Sequence, residues 1–156
     1  MMKIFPATKQ DVAWMVDLSH SKRLTYEKHQ KQFWKMATNS DAIQAEYFAK
    51  EIKKENVITL CAEDRRGFVI GKIIFPPEVY DAGPTLMIDD FCVKSSDLWL
   101  SVGLKLLNEI MSQAKLKGAK QVLVVCGNHD LKKSQLLEKL NLSVASNWYV
   151  SEIKLI

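Results

Sequence analysis

The spacing of apolar residues changes several times along the chain, and each change marks an element. Lys3 to Phe5 is a short apolar start before Pro6 and reads as a first strand. Thr8, with Asp11 three residues later, has the form of a helix start. Val12, Met15, Val16 and Ser19 then recur at helical spacing, which predicts a helix ending near Ser19. Ser21 to Ala37 is charged and aromatic and reads as a second helix or a partly ordered excursion. Ser40 and Asp41 open a third helix, whose stripe is Ile43, Tyr47, Phe48 and Ile52. Lys53 and Lys54 close it where cations suit the dipole.

The pattern then becomes that of strands. Val57 to Glu63 and Phe68 to Phe75 flank the turn Asp64-Arg65-Arg66-Gly67 and predict a hairpin. A loop rich in proline and glycine leads to a third long strand, Thr85 to Val93. Val102 to Lys117 is helical, with Leu106, Leu107, Ile110 and Ala114 on one face and Gly118 as the stop. Gln121 to Cys126 is apolar almost throughout, as in a strand covered on both faces. Asp130 to Leu140 reads as a last helix and Asn147 to Ile156 as a terminal strand. The predicted order is β-α-α-β-β-β-α-β-α-β. It implies one domain over residues 1–156: a mixed, mostly antiparallel sheet with helices on both faces.

Composition narrows the class without choosing a function. The 156 residues are 47% hydrophobic and 26% charged, which fits an ordered globular chain. No apolar run approaches the ~18 residues of a membrane span, and no secretory signal is visible at the start. The net charge of +4 is too small to point to nucleic acid, and its lysines are spread over several elements. Cys61, Cys92 and Cys126 lie far apart in apolar runs and read as buried free thiols of a cytoplasmic protein. His20, His29 and His129 lack the spacing of a metal pair and read as solvated surface, so no metal is expected.

The junction between the third long strand and the following helix reads Ile88-Asp89-Asp90-Phe91-Cys92-Val93-Lys94-Ser95-Ser96-Asp97-Leu98-Trp99-Leu100-Ser101-Val102-Gly103-Leu104-Lys105-Leu106-Leu107. This segment resembles the acetyl-CoA-binding motif of the GNAT N-acetyltransferases. In that family a strand ending in valine leads to an R-G-x-G-x-G loop and a helix with a Leu-Leu pair. Val93, Val102, Gly103, Leu106 and Leu107 match in type and spacing. Leu136 to Leu142 sits on the family's L-Y-E-K-L-G-F ending, and the element order agrees over essentially the whole chain.

The resemblance implies a GNAT-like fold and acetyl transfer from acetyl-CoA to a primary amine, in a ternary complex. It implies cofactor contacts from Phe91, Cys92 and Val93 through the strand backbone. It also implies them from Leu98, Trp99, Leu100, Ser101, Val102 and Gly103 through amides that hold the pyrophosphate. Asn128 would meet the pantetheine arm or cap the last helix, and capping by Asn128 or Asp130 is the preferred reading. Asp89 or Asp90 would take the amine proton, with Asp89 preferred; the pair also suits plain solvation or a structural hydrogen bond. Tyr26, Phe33 and Trp34 would line an acceptor pocket or form a helix core stripe.

The departures are as specific as the matches. Leu98 stands at the family's arginine, Trp99 and Ser101 replace two glycines, and Asn141 replaces the glycine after the last helix. The lost guanidinium contact to phosphate is worth roughly 1.5–3 kcal/mol. Leu137 stands where many members place the tyrosine that protonates the leaving thiolate; Ser134 and Tyr149 are the nearest replacement hydroxyls. These departures keep a second reading open, a non-catalytic module that binds CoA or another ligand. The expected partners are acetyl-CoA, an unidentified amine acceptor and a second copy of the chain, with no nucleic acid or membrane.

Overall fold

A computed structural model describes residues 1–155. Strands β1 (Ile4–Pro6), β2 (Val57–Ala62), β3 (Gly67–Ile74), β4 (Thr85–Val93) and β5 (Gln121–Val124) form one sheet in that order. Neighbours are antiparallel except β4 and β5, which run parallel and are joined through helix α4 (Leu104–Leu116). Helices α1 (Val12–His29) and α3 (Ser40–Glu51) cover one face, with the short α2 (Lys31–Trp34) between them in the chain. Helices α4 and α5 (Leu131–Lys139) cover the other.

The predicted stripes are the core. On one face Met15, Val16 and Phe48 pack against Cys61, Phe68, Ile70 and Cys92. On the other, Leu106, Leu107, Ile110 and Leu136 pack against Leu60, Val69, Leu86, Ile88 and Phe91. Each such side chain contributes roughly 1.5–3 kcal/mol when fully buried. The start signal also holds: the Thr8 amide and hydroxyl both donate to the Asp11 carboxylate, at 2.8 and 3.2 Å.

Several expectations are corrected. The first helix does not stop near Ser19, because no glycine or proline follows; it runs on to His29. His20 and Arg23 on this extension both bind Asp41 Oδ1, at 2.9 and 2.6 Å, and tie α1 to α3. β5 is not covered on both faces but is the edge strand. Val122 and Val124 turn inward, while Leu123 and the following Val125 are each 43% exposed. Residues 147–155 form no strand. Trp148 and Tyr149 are exposed, and the alternating pattern there supplies strand propensity without a ladder to join. Residue 156 of the predicted terminal strand lies outside the described residues.

A β-bulge interrupts β4. Ile70 pairs with Asp90 and Gly71 pairs with Ile88, so Asp89 has no partner across the ladder. Side chains otherwise alternate along a strand. The extra residue therefore lets Ile88 and Phe91, three apart, lie in the same core cluster under α4 and α5, while Cys92 belongs to the cluster under α1 and α3.

Candidate functional site

The bulge sits where β4 and β5 part. Their pairing runs from Thr85 with Gln121 to Ile88 with Val124, and one further bond joins the Val125 amide to the Ile88 carbonyl at 2.9 Å. Beyond it the chain after β5 turns away through Cys126 to Asp130 into α5. The edge of β4 from Asp90 to Val93 is thus paired with β3 on one side and, among the described residues, has no strand on the other. A parallel pair that opens at this end leaves free backbone groups beside a helix start, a place suited to an extended amide-bearing ligand.

Ionisable groups reach this gap from both faces. Lys22 of α1 donates its ammonium to the Asp89 carbonyl at 3.3 Å and lies 5.4 Å from the Tyr26 ring centre. Asp90 is half-buried and accepts a long 3.5 Å bond from the Gln44 amide on α3. Burial pushes the Asp90 carboxyl up to about 6; Lys22 and Lys133 oppose the shift and Asp89 adds to it. A carboxyl of that kind changes charge close to neutral pH and suits proton transfer. Asp89 is exposed at the bulge. Of the two acids, Asp90 is thus the one whose proton affinity the fold raises beside the gap.

Lys133 approaches from α5. It is 1% exposed, and its ammonium lies 5.5 Å from the Phe91 ring centre and 5.4 Å from that of Trp99. Burial and Lys22 push it down to about 8, opposed by Cys126, Cys92 and Asp130. The Tyr26 hydroxyl donates to Asp130 at 3.1 Å and accepts from the Gly127 amide at 3.3 Å, which ties α1 to the turn after β5. Burial, followed by the Asp130 charge, raises the Tyr26 hydroxyl well above its ordinary range.

The predicted site residues fare unequally. Phe91, Cys92 and Val93 line the β4 edge at the gap, with Phe91 edge-on to Trp99 at 4.8 Å. The expected open loop from Leu98 to Gly103 is instead helical. A 3-10 turn Ser96–Leu98 runs into a wider π-type turn Trp99–Gly103 and then α4. The amides of Leu98 and Leu104 are already bonded within it, to the Ser95 carbonyl and to the Ser101 and Trp99 carbonyls. Without the first two glycines the segment winds, as bulky apolar residues allow. Leu98 and Trp99 turn inward onto the core, while Leu100 and Ser101 stay exposed. Asn128 is exposed, and Asp130 at the start of α5 gives its carboxylate to Tyr26 rather than to a cap.

Neither proposed replacement hydroxyl reaches the gap. Ser134 donates to Glu138 at 3.4 Å, and Tyr149 is 93% exposed. His129 is not solvated surface. It stacks on His29 at 4.0 Å, meets Tyr26 edge-on at 4.5 Å, and burial followed by His29 lowers its pKa against Asp130. Trp34 lies against Tyr26 and His129, and Phe33 against Trp34 and Trp148. These rings form an aromatic cluster beside the gap rather than a helix stripe. Lys22 and Lys133 were legible in principle: each interrupts an apolar stripe, Lys22 between Ser19 and Tyr26, Lys133 ahead of Leu136, Leu137 and Leu140. Among the described residues no three His, Cys, Asp or Glu side chains gather as a metal site, and no helix is long and apolar enough to cross a membrane.

No protein-family model matches the chain, and no curated protein matches it in sequence. Solved structures match its shape. A tetramutant of the BH1408 protein from Bacillus halodurans superposes with a TM-score of 0.82 at 15% identity, over 97% of this chain and 99% of that one. A predicted acetyltransferase with acetyl-CoA from Clostridium acetobutylicum gives 0.73 at 15% identity, over 97% and 96%. The aminoglycoside antibiotic 6'-N-acetyltransferase AAC(6')-Ih from Acinetobacter baumannii gives 0.71 at 9% identity, over 99% of both chains. At these identities the likeness is one of fold.

Proposed function

Starting from the GNAT acetyltransferase fold that the chain shares with these structures, we propose that the protein is an N-acetyltransferase using acetyl-CoA as acyl donor and a primary amine as acceptor. The observation that carries this reading is Asp90: a carboxyl held near 6, beside a bulge, where the parallel strands open. Above that pH it is a carboxylate. The neutral amine nitrogen attacks the thioester carbonyl directly, and its N–H proton passes to Asp90 as the C–N bond forms. The unpaired β4 edge from Asp90 to Val93 supports the extended arm of the donor, which brings donor and acceptor together and removes the entropy cost of their meeting. The aromatic cluster of Tyr26, His29, Phe33 and Trp34 offers flat apolar walls for the acceptor.

One observation favours the non-catalytic module instead. The segment from Ser96 to Gly103 is wound into helix with the Leu98, Trp99 and Leu104 amides already bonded, and Trp99 and Lys133 are packed beside Phe91. Calorimetric titration with acetyl-CoA, followed by a screen of amines for acetyl transfer, separates the readings. Binding with transfer supports the enzyme. Binding without transfer to any amine supports the module. No binding at millimolar acetyl-CoA overturns the enzyme and leaves only a module for another ligand.

A further inference from the structure

Lys133 is a buried charge. It is 1% exposed, yet among the described residues it forms no ion pair. Its neighbour Lys132 is exposed, so α5 has an outward path for a lysine at this end. A buried ammonium costs several kcal/mol unless something compensates. The rings of Phe91 and Trp99, 5.5 and 5.4 Å from the ammonium, return part of that. A methionine or leucine there would continue the stripe of Leu136, Leu137 and Leu140 with no charge to bury. The packing therefore does not call for the cation.

The groups whose charge acts on it come from every element around the gap: Lys22 from α1, Asp90 and Cys92 from β4, Cys126 after β5, and Asp130 at the start of α5. Asp90 and Lys133 thus influence each other across the point where the strands part. Acyl transfer from a thioester creates one anion at that point, the departing thiolate. We propose that Lys133 is the catalytic acid of the transfer, giving its proton to the thiolate sulfur as the carbon–sulfur bond breaks. This rests on the acetyltransferase reading above.

The protons balance. The neutral amine attacks the carbonyl carbon and a C–N bond forms. Its N–H proton passes to Asp90, the electron pair of the breaking C–S bond goes to sulfur, and the sulfur takes a proton from Lys133. One proton then passes from Asp90 to Lys133 through solvent and resets the site. The two environments suit the two roles. Asp90, near 6, is a free base at neutral pH, and Lys133, near 8, is still a charged acid close to the ordinary pKa of a thiol, ~8.5.

The test uses the full chain as Lys133→Met and Lys133→Arg, with acetyl-CoA and the best amine acceptor found. Wild-type kcat is expected to fall above about pH 8. Lys133→Met should lower kcat by roughly 10²–10⁴-fold with little change in the acetyl-CoA KM, and should lose the alkaline limb. Lys133→Arg keeps the charge but cannot titrate, so it too should lose that limb while retaining more activity. A Lys133→Met enzyme with wild-type kcat, or either variant with the limb still near pH 8, overturns the proposal. If Lys133→Met fails to fold by circular dichroism, Lys133→Arg alone decides.

A second measurement needs no turnover. The ultraviolet absorbance of bound CoA reports its thiolate, which should form at lower pH in the wild type than in Lys133→Met. Equal ionisation in the two overturns the role of Lys133 even if transfer is found. A shifted ionisation in a protein that transfers to no amine overturns the enzyme reading and leaves Lys133 as the thiolate's partner.

Discussion

Replacing Asp90 by asparagine should make the protein more stable at neutral pH while slowing acetyl transfer. The carboxyl has an ordinary pKa of 3.8 and is pushed up to about 6 in the fold. Two units correspond to about 3 kcal/mol. The direction follows from proton counting. Below 3.8 both folded and unfolded chains carry the proton; between 3.8 and about 6 the folded chain alone keeps it; above about 6 the folded chain holds an unfavourable charge. The stability contributed by this group is therefore present at acid pH and lost as pH rises through 6. Asparagine keeps the size and can still accept from Gln44. The variant should match the wild type near pH 4 and exceed it by about 1–3 kcal/mol at pH 7.5. Asp41, Glu46 and Glu51, which are shifted downward, give an opposite slope at lower pH. They are common to both proteins and cancel in the difference. Urea unfolding at the two pH values measures it. A difference that does not change with pH, or a wild type that is the more stable at neutral pH, refutes the reasoning.

Lys22→Met should raise the Asp90 pKa above about 6, because Lys22 is the largest influence holding it down, and a carbon-detected NMR titration of the carboxyl reads the shift. Gly103→Ala should destabilise by roughly 1–3 kcal/mol despite its better helix propensity. An added Cβ would stand 2.7 Å from the Trp99 ring and 3.1 Å from Leu136, and an unchanged or raised urea midpoint would show that α4 and α5 are not packed this tightly. Removing the chain after Leu142 should leave the midpoint within error of the full chain, since residues 143–150 are exposed throughout; sedimentation of both forms shows whether the tail holds a second copy.

The sheet and its two layers were legible because long-range packing obeys local periodicity. The stripe Leu106, Leu107, Ile110 and Ala114 can be buried only by a helix lying on the sheet, and it is. The hairpin of β2 and β3 and the parallel step from β4 to β5 followed in the same way. The site was less legible for three physical reasons. A bulge leaves no mark on apolar spacing, so strict alternation set Asp89 on the face of Phe91 and obscured the distinct place of Asp90. Nothing in the pattern singles out Lys22 or Lys133 as more than surface charge, since a lone lysine in a stripe ordinarily reaches past it to solvent. The segment from Leu98 to Gly103 was expected to be a loop by analogy with glycines that it lacks, and residues without glycine's freedom wound into a helix. The terminal strand failed for another reason: propensity belongs to a segment, whereas a strand belongs to a pair.

The bulge in β4 also bears on how such a site changes over generations. A point substitution alters what a residue is; it cannot alter how many residues separate Ile88 from Asp90. The one extra residue stands outside the ladder, so the strand's second half enters the layers that a regular strand without Asp89 would give it. Deleting Asp89 would leave Asp90 opposite Ile70 and Phe91 opposite Val69, each in its present layer, and would remove only the bulge and the carbonyl that meets Lys22. The bulge is thus encoded in chain length, whereas the face of the acid is encoded in its register against Ile70. Drift by substitution can erode the chemistry of this gap one side chain at a time, whereas its geometry is lost only through an insertion or a deletion.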